Sequence, residues 1–371
     1  MSLPQIVASS TVGSAIRVMI VDDAVVVRGL MSRWLSEEPG IEIVGAFRNG
    51  REAVDNVLKL NPDICLLDIE MPELDGLAAL PLLLARKPNL VVIMASTLTR
   101  RNAEVSLKAL SLGATDYVAK PETSRELTFE QSYRREIVEK IRILGRHQAP
   151  GPLRPRPSRS VAAARAQAIS LRPFSSIPPR VLAIGSSTGG PQALEAMVRG
   201  LSPVLARLPL VITQHMPSTF TAILAEHLAR AANRPAHEGV HGEPLKPGVV
   251  YVAPGGKHMK LARQGDSATI VIDDGPPVHF CKPAVDPLFR SAAEAFGASL
   301  LAVVLTGMGT DGTEGAASIA AAGGSTIAQD ETTSVVWGMP GSAAHSGHCS
   351  AVLPLDEIAP KIVRLVNGDR A

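Results

Sequence analysis

The sequence predicts an α/β protein built from two doubly wound parallel sheets. Three observations carry this. Apolar runs alternate with helix-period segments twice along the chain, over about Ile16–Leu144 and again over about Arg180–Val366. Polar residues recur where those apolar runs end, the place where doubly wound sheets carry their sites. A stretch from Gly145 to Pro179, rich in Pro and Arg and without Asp or Glu, separates the two patterns.

The 371 residues suit two or three domains, and 46% hydrophobic with 19% charged residues is ordinary for globular α/β chains. A net charge of +2 argues against a strongly nucleic-acid-binding protein. Cys65, Cys281 and Cys349 are odd in number and lack C-x-x-C spacing, so neither disulfides nor zinc are expected, and a reducing cytoplasm fits. No apolar run reaches membrane-spanning length, so direct membrane insertion is not expected. The first fifteen residues are uncharged, lack a signal-peptide pattern and read as a frayed extension.

In the first segment, strands are expected at Ile16–Val21, Ile41–Ala46, Ile64–Leu67, Leu90–Met94 and Asp116–Val118. Helices are expected at Val25–Glu37, Arg51–Leu60, Gly76–Ala85 and Ala103–Leu112. The first strand runs into Asp22-Asp23, the third into Asp68, the fourth ends near Ser96, and the fifth is followed by Lys120-Pro121. Carboxylates facing one another repel unless a cation sits between them. Oxygen ligands with room for water suit Mg²⁺. Lys120 and a hydroxyl nearby could then hold the phosphoryl oxygens of a phosphorylated Asp68. The plainer reading makes Asp22 and Asp23 caps of the first helix and Lys120 a surface charge.

Between the segments, the Pro/Arg stretch cannot bury enough apolar surface to fold alone and is expected to be a flexible or extended connector. Val161–Ile169, rich in Ala, is the one piece expected to form a short helix.

In the second segment, strands are expected at Val181–Ile184, Leu210–Thr213, Val249–Val252, Leu300–Leu305 and Thr326–Ala328. Helices are expected at Gln192–Val198, Thr219–Ala231, Val285–Ala295, Gly312–Ala321 and Glu357–Val366. Met259–Ala262 and Ala268–Ile272 flank a polar turn and read as an inserted β-hairpin. Ser187, His215 and Asp311 each follow a strand. A serine becomes a nucleophile when an imidazole takes its proton and a carboxylate holds that imidazole. Each residue also has a structural reading: Ser187 and Asp311 as helix caps, His215 as a satisfied buried ring. Gly185-Ser186-Ser187-Thr188-Gly189 fits the G-x-S-x-G elbow, yet that fold orders its triad Ser, acid, His, which would call on His345 or His348. G-x-x-x-x-G-K-[ST] is absent and G-x-G-x-x-G spacing is missed, which weighs against a phosphate loop.

The first segment resembles response-regulator receiver domains, through Asp22-Asp23, Leu66-Leu67-Asp68-Ile69-Glu70-Met71-Pro72, Ser96 and Lys120-Pro121. The second resembles the chemotaxis methylesterase domain, through Ile184–Pro191, Gln214-His215-Met216-Pro217, Tyr251–Gly255, Leu305–Gly312, Ala328–Glu331 and Val335–Pro340. The whole chain from about Ile16 is therefore similar to the CheB family of chemotaxis response-regulator methylesterases. Ser186 stands where that family commonly has Ala. The resemblance implies an extension over 1–15, a flavodoxin-like receiver over 16–144, a linker over 145–179 and a Rossmann-like methylesterase domain over 180–371. It implies phosphorylation at Asp68, with Mg²⁺ held by Asp22, Asp23, Asp68 and the Glu70 backbone carbonyl. Ser96 is the implied switch hydroxyl, Lys120 the phosphoryl contact and Tyr117 the rotating aromatic. In the second domain it implies Ser187, His215 and Asp311 as catalytic residues, an oxyanion hole at Thr188 and Met308, and no cofactor for hydrolysis. The implied substrates are glutamyl methyl esters and certain glutamines on chemoreceptor cytoplasmic domains, and the implied phosphodonor is a chemotaxis histidine kinase, CheA. The alternative is a receiver-linked scaffold whose esterase-like domain is catalytically silent.

Overall fold

The computed structural model describes residues 15–120, 127–146 and 169–369. The extension expected over 1–15 lies outside the described residues up to position 14, as do Pro121 and residues 147–168 of the linker, which hold nearly all of the helix expected at Val161–Ile169. The chain divides into two compact units.

The first half of the chain alternates β1 (Ile16–Val21), α1 (Val25–Ser36), β2 (Ile41–Phe47), α2 (Gly50–Leu60), β3 (Ile64–Asp68) and α3 (Gly76–Arg86). It continues through β4 (Val91–Thr97), α4 (Arg100–Ser111), β5 (Asp116–Lys120) and α5 (Leu127–Arg146). The strands form one sheet in the order β2-β1-β3-β4-β5. β1 pairs in parallel with both β2 and β3, and β3 with β4. Sheet growth reverses direction between β1 and β3, which opens a crevice beyond their carboxyl ends. β3 is buried throughout because helices cover both faces of a parallel sheet. Local caps set the helix starts: Asn49 accepts the Glu52 N–H, and Asp75 accepts the Ala78 N–H. Gly76 is required by space, since a Cβ there would stand 1.9 Å from the Asp68 carbonyl oxygen. α5 is absent from the sequence expectations, although buried Ile137, Ile141 and Leu144 recur on one helical face.

The second unit runs β6 (Val181–Ser186), α6 (Gly190–Leu205), β7 (Leu210–Gln214), α7 (Ser218–Ala232), β8 (Ala236–Glu238) and β9 (Val250–Val252). The expected hairpin follows as β10 (His258–Gln264) and β11 (Ser267–Asp273), paired antiparallel as a separate two-stranded sheet. Then come α8 (Val285–Phe296), β12 (Leu300–Val304), α9 (Thr313–Ala321), β13 (Ser325–Gln329), α10 (Met339–His345), β14 (Ala351–Leu353) and α11 (Leu355–Val366). The main sheet has seven parallel strands in the order β14-β13-β12-β6-β7-β9-β8. β6 is central, and growth reverses between β6 and β12. The hairpin is no appendage: Met259, Leu261, Ala268 and Ile270 share a buried core with Val285, Leu288 and Phe289 of α8. The edge strands β8 and β14, three residues each, are absent from the sequence expectations.

Part of the expected connector is docked. The Arg172 N–H donates to the Cys349 carbonyl at 2.9 Å. The Ser175 N–H donates to Ser325 Oγ at 2.8 Å, and its hydroxyl donates to the Ala298 carbonyl at 2.7 Å. The Lys361 ammonium lies 5.2 Å from the Phe174 ring centroid. Proline and arginine content argues against a core of the segment's own, but it does not stop a strap from borrowing partners along a folded surface. Three hydrogen bonds at about 1 kcal/mol each, with about 2–4 °C of melting temperature per kcal/mol in a domain of this size, set the expectation. A fragment beginning at Ile169 melts several degrees above one beginning at Arg180 by calorimetry; equal melting temperatures would refute the strap.

Candidate functional site

The crevice of the first sheet gathers the strand-end residues. Lys120 Nζ lies 2.6 Å from Asp22 Oδ2 and 2.7 Å from Asp68 Oδ1. Asp22 and Asp68 are buried, Asp23 is exposed, and each of the three offers a carboxylate oxygen within 4.8 Å of the others. Burial raises the Asp68 carboxyl, Lys120 lowers it and Asp22 raises it again, and the balance pushes it up to about 6. The Asp22 carboxylate also accepts the Ala24 N–H, so the structural and functional readings hold together for that residue. Three crowded carboxylates with a single ammonium between them are a donor set that fits Mg²⁺. Glu70 is exposed on the loop directly after β3, where the Gly76 N–H takes the neighbouring Ile69 carbonyl at 2.9 Å. Ser96 is buried at the end of β4, one residue beyond the partner of Asp68 in register. Tyr117 is buried on β5, with the Lys140 ammonium 5.3 Å from its ring centroid and donating to its carbonyl at 2.6 Å.

The reversal point of the second sheet holds the other group. β6 pairs Ser186 with Gln214 of β7, so Ser187 and His215 are the first residues beyond the ends of two adjacent strands. The Ser187 N–H donates to the Thr306 carbonyl at 3.0 Å, which ties the same turn to the end of β12. His215 Nε2 donates to Asp311 Oδ2 at 2.7 Å, so Nδ1 is the ring nitrogen left for a proton transfer. Among the described residues no hydrogen bond joins the Ser187 hydroxyl to His215. Thr188 is buried, with its carbonyl accepting from Thr306 Oγ1 at 2.9 Å. The Met308 N–H donates to no backbone carbonyl among the described residues, as an oxyanion donor requires.

Asp311 is held by more than the histidine. The Val285 N–H donates to its Oδ2 at 2.6 Å, and the Asp286 and Gly312 N–H groups donate to its Oδ1 at 2.9 Å. Burial raises this carboxyl, but His215 and the backbone donors more than offset it and leave it below the usual carboxylate range. Burial also disfavours charge on His215, while the Cys281 sulfur and Asp311 both stabilise it, and the ring is pushed up to about 10. Asp286 returns the favour to Asp311's own helix: its Oδ1 accepts the Gly312 N–H at 3.0 Å and the Gly315 N–H at 2.6 Å.

Sequence reasoning missed Asp286, Cys281 and Gln214. Ser186, the unusual hydroxyl beside Ser187, is fully buried and donates to Gln214 Oε1 at 2.7 Å. The Gln214 amide then donates to the Ser187 carbonyl at 2.9 Å and to the His215 carbonyl at 3.3 Å. Ser186 is therefore a strut beneath the turn and too enclosed to be a nucleophile. Gly190 makes room for the strut, because a Cβ there would stand 2.0 Å from Gln214 Oε1. Gln214 belongs to the Gln-His-Met-Pro motif, so its position was visible and its partner was not. Histidine-selective NMR gives the test of the Cys281 contact. Cys281→Ala lowers the His215 pKa from about 10; an unchanged titration would exclude the sulfur as a cause.

Comparison with known proteins agrees with this architecture. The family model described as CheB methylesterase matches residues 182–362, and that described as response regulator receiver domain matches residues 18–130. A protein-glutamate methylesterase/protein-glutamine glutaminase of Nitrobacter hamburgensis is 59% identical over 363 residues, covering 96% of this chain and 95% of the relative. A second, from a group 2 operon of Rhodopseudomonas palustris, is 58% identical over 374 residues, with 96% of this chain and 95% of the relative covered. The Thermotoga maritima CheB methylesterase catalytic domain superimposes with a TM-score of 0.49 at 39% identity, covering 51% of this chain and 100% of that one. Because such relatives align over nearly the whole length and both family models match in the same order, the chain belongs to the CheB family, whose members join a receiver to a methylesterase domain.

Proposed function

We propose that the chain is a phosphorylation-activated protein-glutamate methylesterase and protein-glutamine glutaminase, with a receiver over 16–144, a linker over 145–179 and a catalytic domain over 180–371. The observation that carries the reading is the part-buried His215–Asp311 pair, 2.7 Å apart, with His215 directly beyond β7, the strand beside the one that leads into Ser187. Its substrates are glutamyl methyl esters and certain glutamines on chemoreceptor cytoplasmic domains, its phosphodonor a chemotaxis histidine kinase of the CheA type, and its compartment the cytoplasm.

In this mechanism Ser187 Oγ attacks the ester carbonyl carbon and its proton passes to His215 Nδ1. Asp311 keeps Nε2–H engaged, which fixes the tautomer and stabilises the imidazolium. The Met308 N–H and groups at Thr188 face the developing oxyanion. The tetrahedral intermediate collapses as His215 returns the proton to the departing oxygen, releasing methanol, or to nitrogen, releasing ammonia. Water deprotonated by His215 then opens the acyl-enzyme, and the products are a receptor glutamate and free Ser187.

In the receiver, Asp68 is the phosphoacceptor, Lys120 and Ser96 contact the phosphoryl group and Tyr117 reports its presence. Asp22, Asp23, Asp68 and the Glu70 carbonyl would hold Mg²⁺, which shields phosphoryl oxygens as charge builds on them.

Ser187→Ala in the full chain abolishes methanol release from methylated receptors, at least about a thousand-fold, and leaves phosphorylation of Asp68 intact. Retained hydrolysis would move the nucleophile away from Ser187, and a wild-type chain that releases no methanol would support the silent-scaffold alternative. Asp68→Asn leaves basal release and removes its increase on adding a phosphodonor; stimulation that survives would end the gating model.

The pH dependence has a sign at each site. Asp68 attacks phosphorus as a carboxylate, and burial holds its metal-free carboxyl up at about 6, so phosphotransfer falls as pH drops through the titration of this group. Mg²⁺ favours the carboxylate and moves that limb lower. His215 acts as base only when neutral, so methanol release falls as pH drops below about 10, and Cys281→Ala carries this limb to lower pH. Rate profiles that ignore either change overturn the assigned proton acceptor.

A further inference from the structure

The loop before α8 carries a group that the reaction has not used. The Val278 and Cys281 backbones exchange hydrogen bonds, N–H to carbonyl at 3.1 and 2.8 Å, around a turn that holds His279. His279 is left-handed there, with φ of 50°, a conformation that His adopts more readily than most side chains. Its Nε2 lies 3.1 Å from Asp286 Oδ2. The Asp286 side chain is fully buried, whereas 36% of the His279 side chain is exposed. Asp286 Oδ1 is taken by the Gly312 and Gly315 N–H groups. Among the described residues, His279 is the hydrogen-bond partner of Oδ2.

Asp311 completes the group. One ligand atom each from His279, Asp286 and Asp311 all lie within 4.8 Å of one another. Zinc takes imidazole nitrogen and carboxylate oxygen at about 2.0–2.2 Å, so two of its ligands at the tetrahedral angle stand about 3.3 Å apart. His279 and Asp286 are close to that spacing already, and Asp311 closes the third corner with a shift of about 1.5 Å at most. Two buried carboxylates side by side repel, which a cation between them relieves. The donor set also discriminates. One imidazole with two carboxylates suits Zn²⁺ and similar transition ions, whereas Mg²⁺ asks for an octahedron of oxygens. Cysteine spacing argued against zinc, but it does not bear on a site whose donors are nitrogen and oxygen. The exposed side of the His279 ring gives the ion a way in and leaves its fourth position to water.

We infer that His279, Asp286 and Asp311 form an inhibitory site for Zn²⁺ or a transition ion of like preference, distinct from the Mg²⁺ set of the receiver. The ion takes the place of the proton between His279 Nε2 and Asp286 Oδ2, and that proton goes to solvent. It also draws on Asp311, whose Oδ2 holds His215 Nε2 at 2.7 Å. A carboxylate that neutralises a dication has less charge left for the imidazolium, and a cation beside the pair disfavours positive charge on His215. His215 is then a weaker proton acceptor and is held less firmly, so the ion slows attack by Ser187 without taking the place of the ester. This last consequence rests on the methylesterase reading above; the binding of the metal does not.

The test uses the full chain with Mg²⁺ in excess, so that the receiver's oxygen ligands are filled, and Zn²⁺ as the probe. Titration calorimetry finds a Zn²⁺ site that Mg²⁺ does not displace. Over the same concentrations Zn²⁺ lowers kcat for methanol release from methylated receptors at least about tenfold and leaves KM within about twofold. A zinc-selective chelator restores the rate. His279→Asn keeps a side chain that tolerates the left-handed turn and removes the imidazole. It weakens Zn²⁺ binding, and raises the concentration for half-inhibition of its own zinc-free rate, by about tenfold or more. Co²⁺ in place of Zn²⁺ gives the visible absorption of a four-coordinate site in the unaltered chain, a reading that needs no variant. The inference is overturned if calorimetry and Co²⁺ find no such site, if His279→Asn is inhibited like the wild type, or if the Zn²⁺-loaded chain turns over at full rate. Wild-type chain that releases no methanol without zinc refutes the methylesterase reading instead, and calorimetry on His279→Asn still decides the metal site.

Discussion

Two carboxylates cross between two helix N-termini, and the catalytic geometry depends on that exchange. Asp311 precedes α9 but accepts the first N–H groups of α8, at Val285 and Asp286. Asp286 belongs to α8 but accepts the N–H groups of Gly312 and Gly315 at the start of α9. Helix N-termini carry positive partial charge and orphan donors, so each buried acid finds what burial took from it. The acids nevertheless repel, and the molecule resolves this unequally. Asp311, with the histidine and three backbone donors, is held below the carboxylate range, whereas Asp286 is raised by burial and by Asp311 beside it. Were the exchange broken, Asp311 would lose its backbone donors and its hold on His215 Nε2 would weaken with its charge.

The two sheets solve the same placement problem with opposite electrostatics. In both, the site lies beyond strand ends where sheet growth reverses, between β1 and β3 in one and between β6 and β12 in the other. Among the described residues Asp68 has one backbone donor, Ile69, and shares Lys120 with Asp22. That is too little to offset burial, so its carboxyl rises to about 6. Asp311 has more donors and falls. The difference matches the work proposed for each. A group that accepts a cation and then a phosphoryl group is left under-compensated, while a group that only orients a histidine is saturated.

The sheets were legible because apolar runs fix strands and turn signals fix their ends. From there, the rule that sites lie at reversal points was enough to bring Ser187, His215 and Asp311 to one end of one sheet. What escaped came from elsewhere in the chain or from partners with no pattern. Asp286 and Cys281 approach from a helix start and a turn that no spacing relates to His215. Ser186 looked like a second hydroxyl for the reaction and proves to be a buried strut, because its role is set by Gln214 on the neighbouring strand. Composition misjudged residues 169–179, where a Pro/Arg-rich strap takes its partners from Cys349, Ser325 and Ala298. β8 and β14 are held by the sheet rather than by their own three residues.

The base at the centre has two kinds of support, and they are not equivalent. A ring pushed to about 10 is neutral in only about one molecule in a thousand at pH 7, although the neutral form is then a strong base. Asp311 supplies its share from a carboxylate fixed by three backbone donors. Cys281 supplies its share from the residue after a turn in which His279 and Phe280 are both left-handed. The saturated carboxylate fixes which ring nitrogen is engaged, whereas the sulfur adds only to the ring's affinity for a proton, so loss of Cys281 shifts the base without releasing it from Asp311.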